Sequence, residues 1–171
     1  MGIFNVNMPM LYGDGERAFI KLQEEIMKIS DDPTKFAWTP TENHGGGLFA
    51  PSPALFSNSS QIVRRRARFG LKGKNETTTF ATTNEGFLFK LPMKPIIQCG
   101  TSARGLLWLG VLDWVDFGSM ESLPIGIRFM SWDDDGPYAR EGYTGLHLVG
   151  WTEISGIEFK SILVRPDYRR K

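Results

Sequence analysis

Cysteine is almost missing from this 171-residue chain, with Cys99 alone, which excludes an internal disulfide framework and any zinc site built on several thiolates. Histidine is nearly as scarce, with His44 and His147 only. Excess charge of either sign is also lacking. Lys+Arg 20 against Asp+Glu 19 leave +1, so no whole-molecule field advertises nucleic acid, an anionic membrane or an acidic ligand. No stretch approaches the ~18 apolar residues of a membrane span. The opening Met1-Gly2-Ile3-Phe4-Asn5-Val6 has neither the basic start nor the apolar core of a secretory signal. Val6 stands where a myristoylation pattern requires Ser or Thr. With no secretory route, the sequons at Asn58 and Asn75 read as chance matches. A cytoplasmic protein without membrane contact is the expectation. What is present is ordinary globular material: 41% apolar and 23% charged residues, enough for a core that needs no covalent staples.

One helical pattern stands out, over residues 14–30. Phe19, Leu22, Ile26 and Ile29 fall at helical spacing and predict one apolar stripe. Asp14 is a candidate N-cap, Glu16 suits the positive end of the dipole, and Glu24 with Lys28 forms an i,i+4 pair. Ser30-Asp31-Asp32-Pro33 stops the helix, because the residue before a proline is pushed out of the α region. Ile20 and Met27 widen the apolar surface beyond a single stripe. A second contact is therefore expected.

Beyond residue 35 the period changes. Residues 36–38, 87–91, 106–113, 125–132, 146–151 and 157–164 read as short strands. Ile125, Ile127 and Phe129 alternate with Gly126, Arg128 and Met130, as a half-buried antiparallel strand requires. Asn84-Glu85-Gly86, Asp133-Asp134-Asp135-Gly136 and Glu141-Gly142 supply turn chemistry. No second helix of comparable quality separates these runs, which argues against a parallel βαβ sheet. The fold class is α+β, mainly β: an amphipathic helix on an antiparallel β-sandwich or a barrel-like domain.

Chemical motifs are few. Gly13-Asp14-Gly15-Glu16-Arg17-Ala18 imitates a dinucleotide fingerprint, but Pro9 breaks the incoming strand and a turn with antiparallel β pattern follows the helix. No nucleophile elbow surrounds a serine, Cys99 lacks a reactive setting, and His147 reads as a face residue of its strand. Asp133-Asp134-Asp135-Gly136 fails as an EF-hand, since Gly142 falls where the bidentate Glu belongs. The segment 61–75 carries Arg64, Arg65, Arg66, Arg68, Lys72 and Lys74 with no acid among them. Phosphate contacts and a solvated loop or internal clamp both fit it. Only Phe69 lies nearby to stack on a base, so nucleic acid is not the expected partner.

Residues 2–26, with Gly13-Asp14-Gly15-Glu16-Arg17-Ala18 at their centre, resemble a segment of fungal heterokaryon-incompatibility (HET-domain) proteins. The resemblance continues through Phe36-Ala37-Trp38, Gly47-Leu48-Phe49-Ala50-Pro51-Ser52-Pro53-Ala54-Leu55-Phe56, residues 82–92 and Val164-Arg165-Pro166-Asp167, in order along the chain. It implies that residues 1–33 are the end of a HET domain and 34–171 a β-rich accessory domain of unknown function. The family's HET body, described as TIR-like and linked to NAD cleavage and cell death, would precede this segment, so the chain reads as a fragment. The resemblance assigns no catalytic, cofactor or metal residue here. It implies instead a partner surface, Phe19, Ile20, Leu22, Ile26 and Met27 toward a HET body, another protein or a second copy; the basic run itself adds Arg64, Arg65, Arg66 and Arg68 as further candidate contacts. The alternative function is a carbohydrate- or protein-binding module displaying Trp108, Trp114, Trp132 or Trp151; a small NAD-cleaving or hydrolytic enzyme would need a pocket with a converging acid–base pair.

Overall fold

In the computed structural model, which describes residues 15–30, 32–41, 47–64, 78–96, 105–116, 123–133, 136–141, 145–154 and 157–166, helix α1 spans Gly15–Ile29. Its hidden face is not the expected stripe. Gln23 and Met27 are buried, Phe19, Ile20, Leu22 and Ile26 are half-buried, and Ile29 is 62% exposed. The cause is a polar side chain. The Gln23 amide donates to the Ala50 carbonyl at 2.7 Å and accepts the Ala50 N–H at 3.1 Å, which rotates the line Phe19–Gln23–Met27 inward. Periodicity counts apolar residues and is blind to such a polar anchor. Lys28 pairs with Glu25 at 2.6 Å, and Asp14 lies outside the described residues.

Beyond Ser30, the Asp32 carboxylate accepts the Thr34 N–H and caps a 3-10 turn, Pro33–Phe36. The expected strand at 36–38 is therefore absent: Phe36 ends that turn and Ala37 and Trp38 are irregular. A second 3-10 turn, Pro53–Phe56, is capped by Ser52. Then come β1 (Ile62–Arg64), β2 (Thr79–Thr83), β3 (Gly86–Ile96), β4 (Leu106–Asp116), β5 (Pro124–Ser131), β6 (Tyr138–Arg140), β7 (His147–Leu148), the short helix α2 (Trp151–Ile154) and β8 (Glu158–Val164). The expected strand at 146–151 shrinks to two residues because the chain turns into α2.

The neighbours run β4–β3–β8–β6–β5, and β5 pairs back onto β4. The result is a closed five-strand barrel. Closure satisfies backbone groups that an open sheet would leave at its edges. Every pairing is antiparallel except β6 with β8, which meet at Tyr138↔Val164. β1 extends β4, β2 lies on β3, and β7 borders one end of β5. β3 continues through Pro92 and Pro95, where the sequence pattern ended it early. Among the described residues Pro92 pairs with β8 and Pro95 with β4, and a residue without an N–H is tolerated where the ladder does not call on that donor.

The core follows the strand alternation. Phe87, Phe89, Leu91 and Met93 of β3 meet Ile125, Ile127 and Phe129 of β5, with Tyr138, Ile162 and Val164. Phe36 joins them, its ring 5.1 Å from Phe89, and Ile20 and Met27 bring α1 onto the same cluster. Gly110 is a packing requirement: a Cβ there would lie 2.8 Å from the Phe129 ring and collide with Leu91. The opposite face of β4 carries a second cluster of Leu109, Val111, Val149, Ile154 and Ile157.

Candidate functional site

Strand register builds a polar concavity among the described residues. Lys94 of β3 lies opposite Leu109 of β4, and Leu109 lies opposite Arg128 of β5. The three side chains share one face because their neighbours Met93, Gly110 and Phe129 belong to the other. His147 of β7 pairs with Gly126, two residues from Arg128. A Cβ at Gly126 would sit 2.6 Å from Leu109 and 2.9 Å from Val149, so glycine lets these side chains close over β5. The Val149 N–H donates to the Pro124 carbonyl at 2.8 Å and fixes the end of β7. Helix α2 then returns Glu153, whose carboxylate meets the Lys94 ammonium at 2.8 Å.

These residues enclose a cleft of about 450 Å³ lined by Lys94, Ile96, Leu109, Arg128, His147 and Glu153, with Pro95, Leu148 and Val149. Its floor is apolar: Leu109 is 6% and Val149 1% exposed. Its walls carry charge. Burial holds the His147 imidazole below its ordinary pKa, Arg128 reinforces that, and Glu141 opposes it. The Glu153 carboxyl is held below its ordinary value by the Lys94 hydrogen bond first, then by the Gly150 N–H and the Lys94 charge. Of the cleft-lining side chains, Arg128 and His147 each have a buried nitrogen without a hydrogen-bond partner, Nε and Nε2. A neutral imidazole beside a permanent cation over an apolar floor suits an anion rather than a metal. Among the described residues no group of three His, Cys, Asp or Glu side chains could hold a metal ion.

Two further cations are engaged elsewhere. Arg140 is buried and donates to the carbonyls of Phe36 at 2.9 Å and Trp38 at 2.7 Å, with its guanidinium 4.1 Å over the Trp38 ring. Burial lowers its pKa to about 9, with Glu141 opposing, so it stays charged at neutral pH. Lys160 donates to the Tyr138 hydroxyl at 2.8 Å and lies 4.4 Å over the Trp108 ring. The chain matches no protein-family model, no curated protein and no solved structure.

The residues singled out from the sequence fall in different places. Met27 is buried in the core, Ile20 packs against it, and Phe19 meets the Phe56 ring edge-on at 6.3 Å. Leu22 and Ile26 are half-buried on α1. Arg64 ends β1, whereas Arg65, Arg66, Arg68, His44, Cys99 and the Gly13 turn lie outside the described residues. Of the tryptophans, Trp38 is fully buried and Trp108 is half-buried against the core. His147 does lie on a strand face, as expected, but it faces a cleft. Lys94, Arg128 and Glu153 escaped notice as a group because they are brought together by strand register across long stretches of chain. The one signal in the sequence was Arg128 in the outward phase of the β5 alternation.

Proposed function

We propose that this chain is a non-catalytic, interaction-bearing portion of a heterokaryon-incompatibility-type protein, acting in the cytoplasm. One observation carries the reading beyond the motifs themselves. Described residues from three of the segments that bear the resemblance, 15–26, 36–38 and 47–56, help fasten the helix to the barrel. Gln23 of α1 is bonded to Ala50, the Trp38 indole donates to the Leu48 carbonyl at 3.1 Å, and Phe36, Trp38 and Ala50 are fully buried. The outer line of α1, with Leu22, Ile26 and the exposed Ile29, is then the side on which a HET body or a second copy docks.

Expression of the chain alone in yeast tests this. Viability and cellular NAD are expected to stay at the level of an empty-vector control, and a HET body supplied in trans is expected to co-purify with it. Cell killing or NAD depletion by the chain alone would falsify the reading, as would retention of the HET body by an Ile29→Glu variant to the same extent as by the parent.

A further inference from the structure

We propose that the Lys94–Arg128–His147 cleft is a binding site for a small amphipathic anion, a carboxylate or phosphate monoester carried on a short apolar body. A buried nitrogen without a partner forfeits its hydration and gains nothing in return, so native structures rarely retain one without a reason. Here Arg128 Nε and His147 Nε2 are two such nitrogens; both side chains line the same cleft, but each nitrogen is itself hidden from solvent, so a ligand meets it only once the side chain turns. A guanidinium offers a planar fork that matches carboxylate or phosphate oxygens in pairs, and an anion beside it would relieve its repulsion of a protonated His147. Lys94 supplies a second positive group. Its partner Glu153 is 53% exposed in its side chain, so the carboxylate can swing outward and release the ammonium to a ligand.

Size and floor restrict the ligand further. About 450 Å³ is within the range of small-molecule sites and holds neither a polypeptide domain nor a nucleic-acid duplex. Ile96, Leu109, Leu148 and Val149 surround the charged groups with hydrocarbon, so a bare inorganic anion leaves most of the site unfilled. The chemistry recognised is therefore charge at one end and an apolar ring or short chain at the other. This inference stands apart from the proposed family role, because it depends on the outer face of the barrel rather than on the α1 seam.

The test uses the full chain with benzoate and phenyl phosphate as probes and benzyl alcohol and inorganic phosphate as controls. Amide and imidazole NMR shifts give the location and calorimetry gives the affinity. At millimolar concentration, benzoate or phenyl phosphate is expected to move the signals of Gly126, His147 and Val149 and to raise the His147 pKa, and whichever binds tighter names the head group. Arg128→Gln is expected to weaken binding roughly tenfold or more while leaving the thermal midpoint in place. Leu148→Trp, which fills the apolar side from an exposed position, is expected to block binding as well. The proposal is overturned if neither anion moves those signals, if benzyl alcohol binds as tightly as benzoate, if inorganic phosphate matches phenyl phosphate, or if both variants bind like the parent.

Discussion

Arg140 and Arg128 stand on neighbouring strands of one barrel and have opposite fates. Arg140 points into the seam, where two main-chain carbonyls and an indole face receive its charge. Arg128 lines the outer cleft, where its Nε has no partner and its charge disfavours a proton on His147. Both belong to the same β5–β6 ladder: Arg140 lies opposite Phe129, and the Glu141 N–H donates to the Arg128 carbonyl at 2.9 Å. The strand alternation sends one guanidinium to each face. A cation held by main-chain acceptors inside the protein acts as a fastener, whereas one whose buried nitrogen has no partner is not held in that way. Burial alone does not separate the two roles.

The sharpest way to break this contrast is to remove the fastener. Arg140→Met leaves the Phe36 and Trp38 carbonyls buried without donors, and a loss of about 3–5 kcal/mol is expected in urea denaturation. Gln23→Leu attacks the same seam at Ala50 and is expected to cost about 2 kcal/mol, with hydrogen exchange of the α1 amides accelerating more than that of β3. An effect of Gln23→Leu spread evenly over the barrel would count against a seam distinct from the barrel core.

On the cleft side the expected effects are smaller. His147 has a folded pKa below its ordinary value of 6.5, so the unfolded chain takes up the proton first as the pH falls. Stability present above that ordinary value is therefore lost as the pH drops through the folded pKa, with Arg128 enlarging the loss and Glu141 reducing it. A His147→Gln variant is expected to flatten that part of the stability–pH curve; an unchanged curve would place the titration elsewhere. Smallest of all is Arg128→Met, expected to change stability by no more than about 0.5 kcal/mol, because the stem is kept and an unsatisfied nitrogen is removed. A loss approaching that of Arg140→Met would erase the distinction between the two arginines.

What could be read from the sequence was local. The helix, the β-rich body and the alternation of Ile125, Ile127 and Phe129 follow from side-chain period, and the structure has all three. The choice between sandwich and barrel was not legible, because it depends on β5 returning to β4 and on β6 meeting β8 in parallel. The buried face of α1 was misread because Gln23 is hidden by a bond to a residue 27 positions away. The cleft escaped for the same reason. Lys94 and Glu153 are separated by 59 residues, and no spacing rule spans that distance.

Arg140 also sets the order of events during synthesis. Its two carbonyl acceptors lie 104 and 102 positions earlier in the chain. At ribosomal speeds, roughly 5–20 s pass between the emergence of Phe36 and that of its donor. For that interval Phe36 and Trp38 have no finished place to go, and the nascent segment offers two large aromatic rings to any chaperone near the exit tunnel. Residues 36–38 are made well before the strand that holds them, and are locked only when Arg140 arrives.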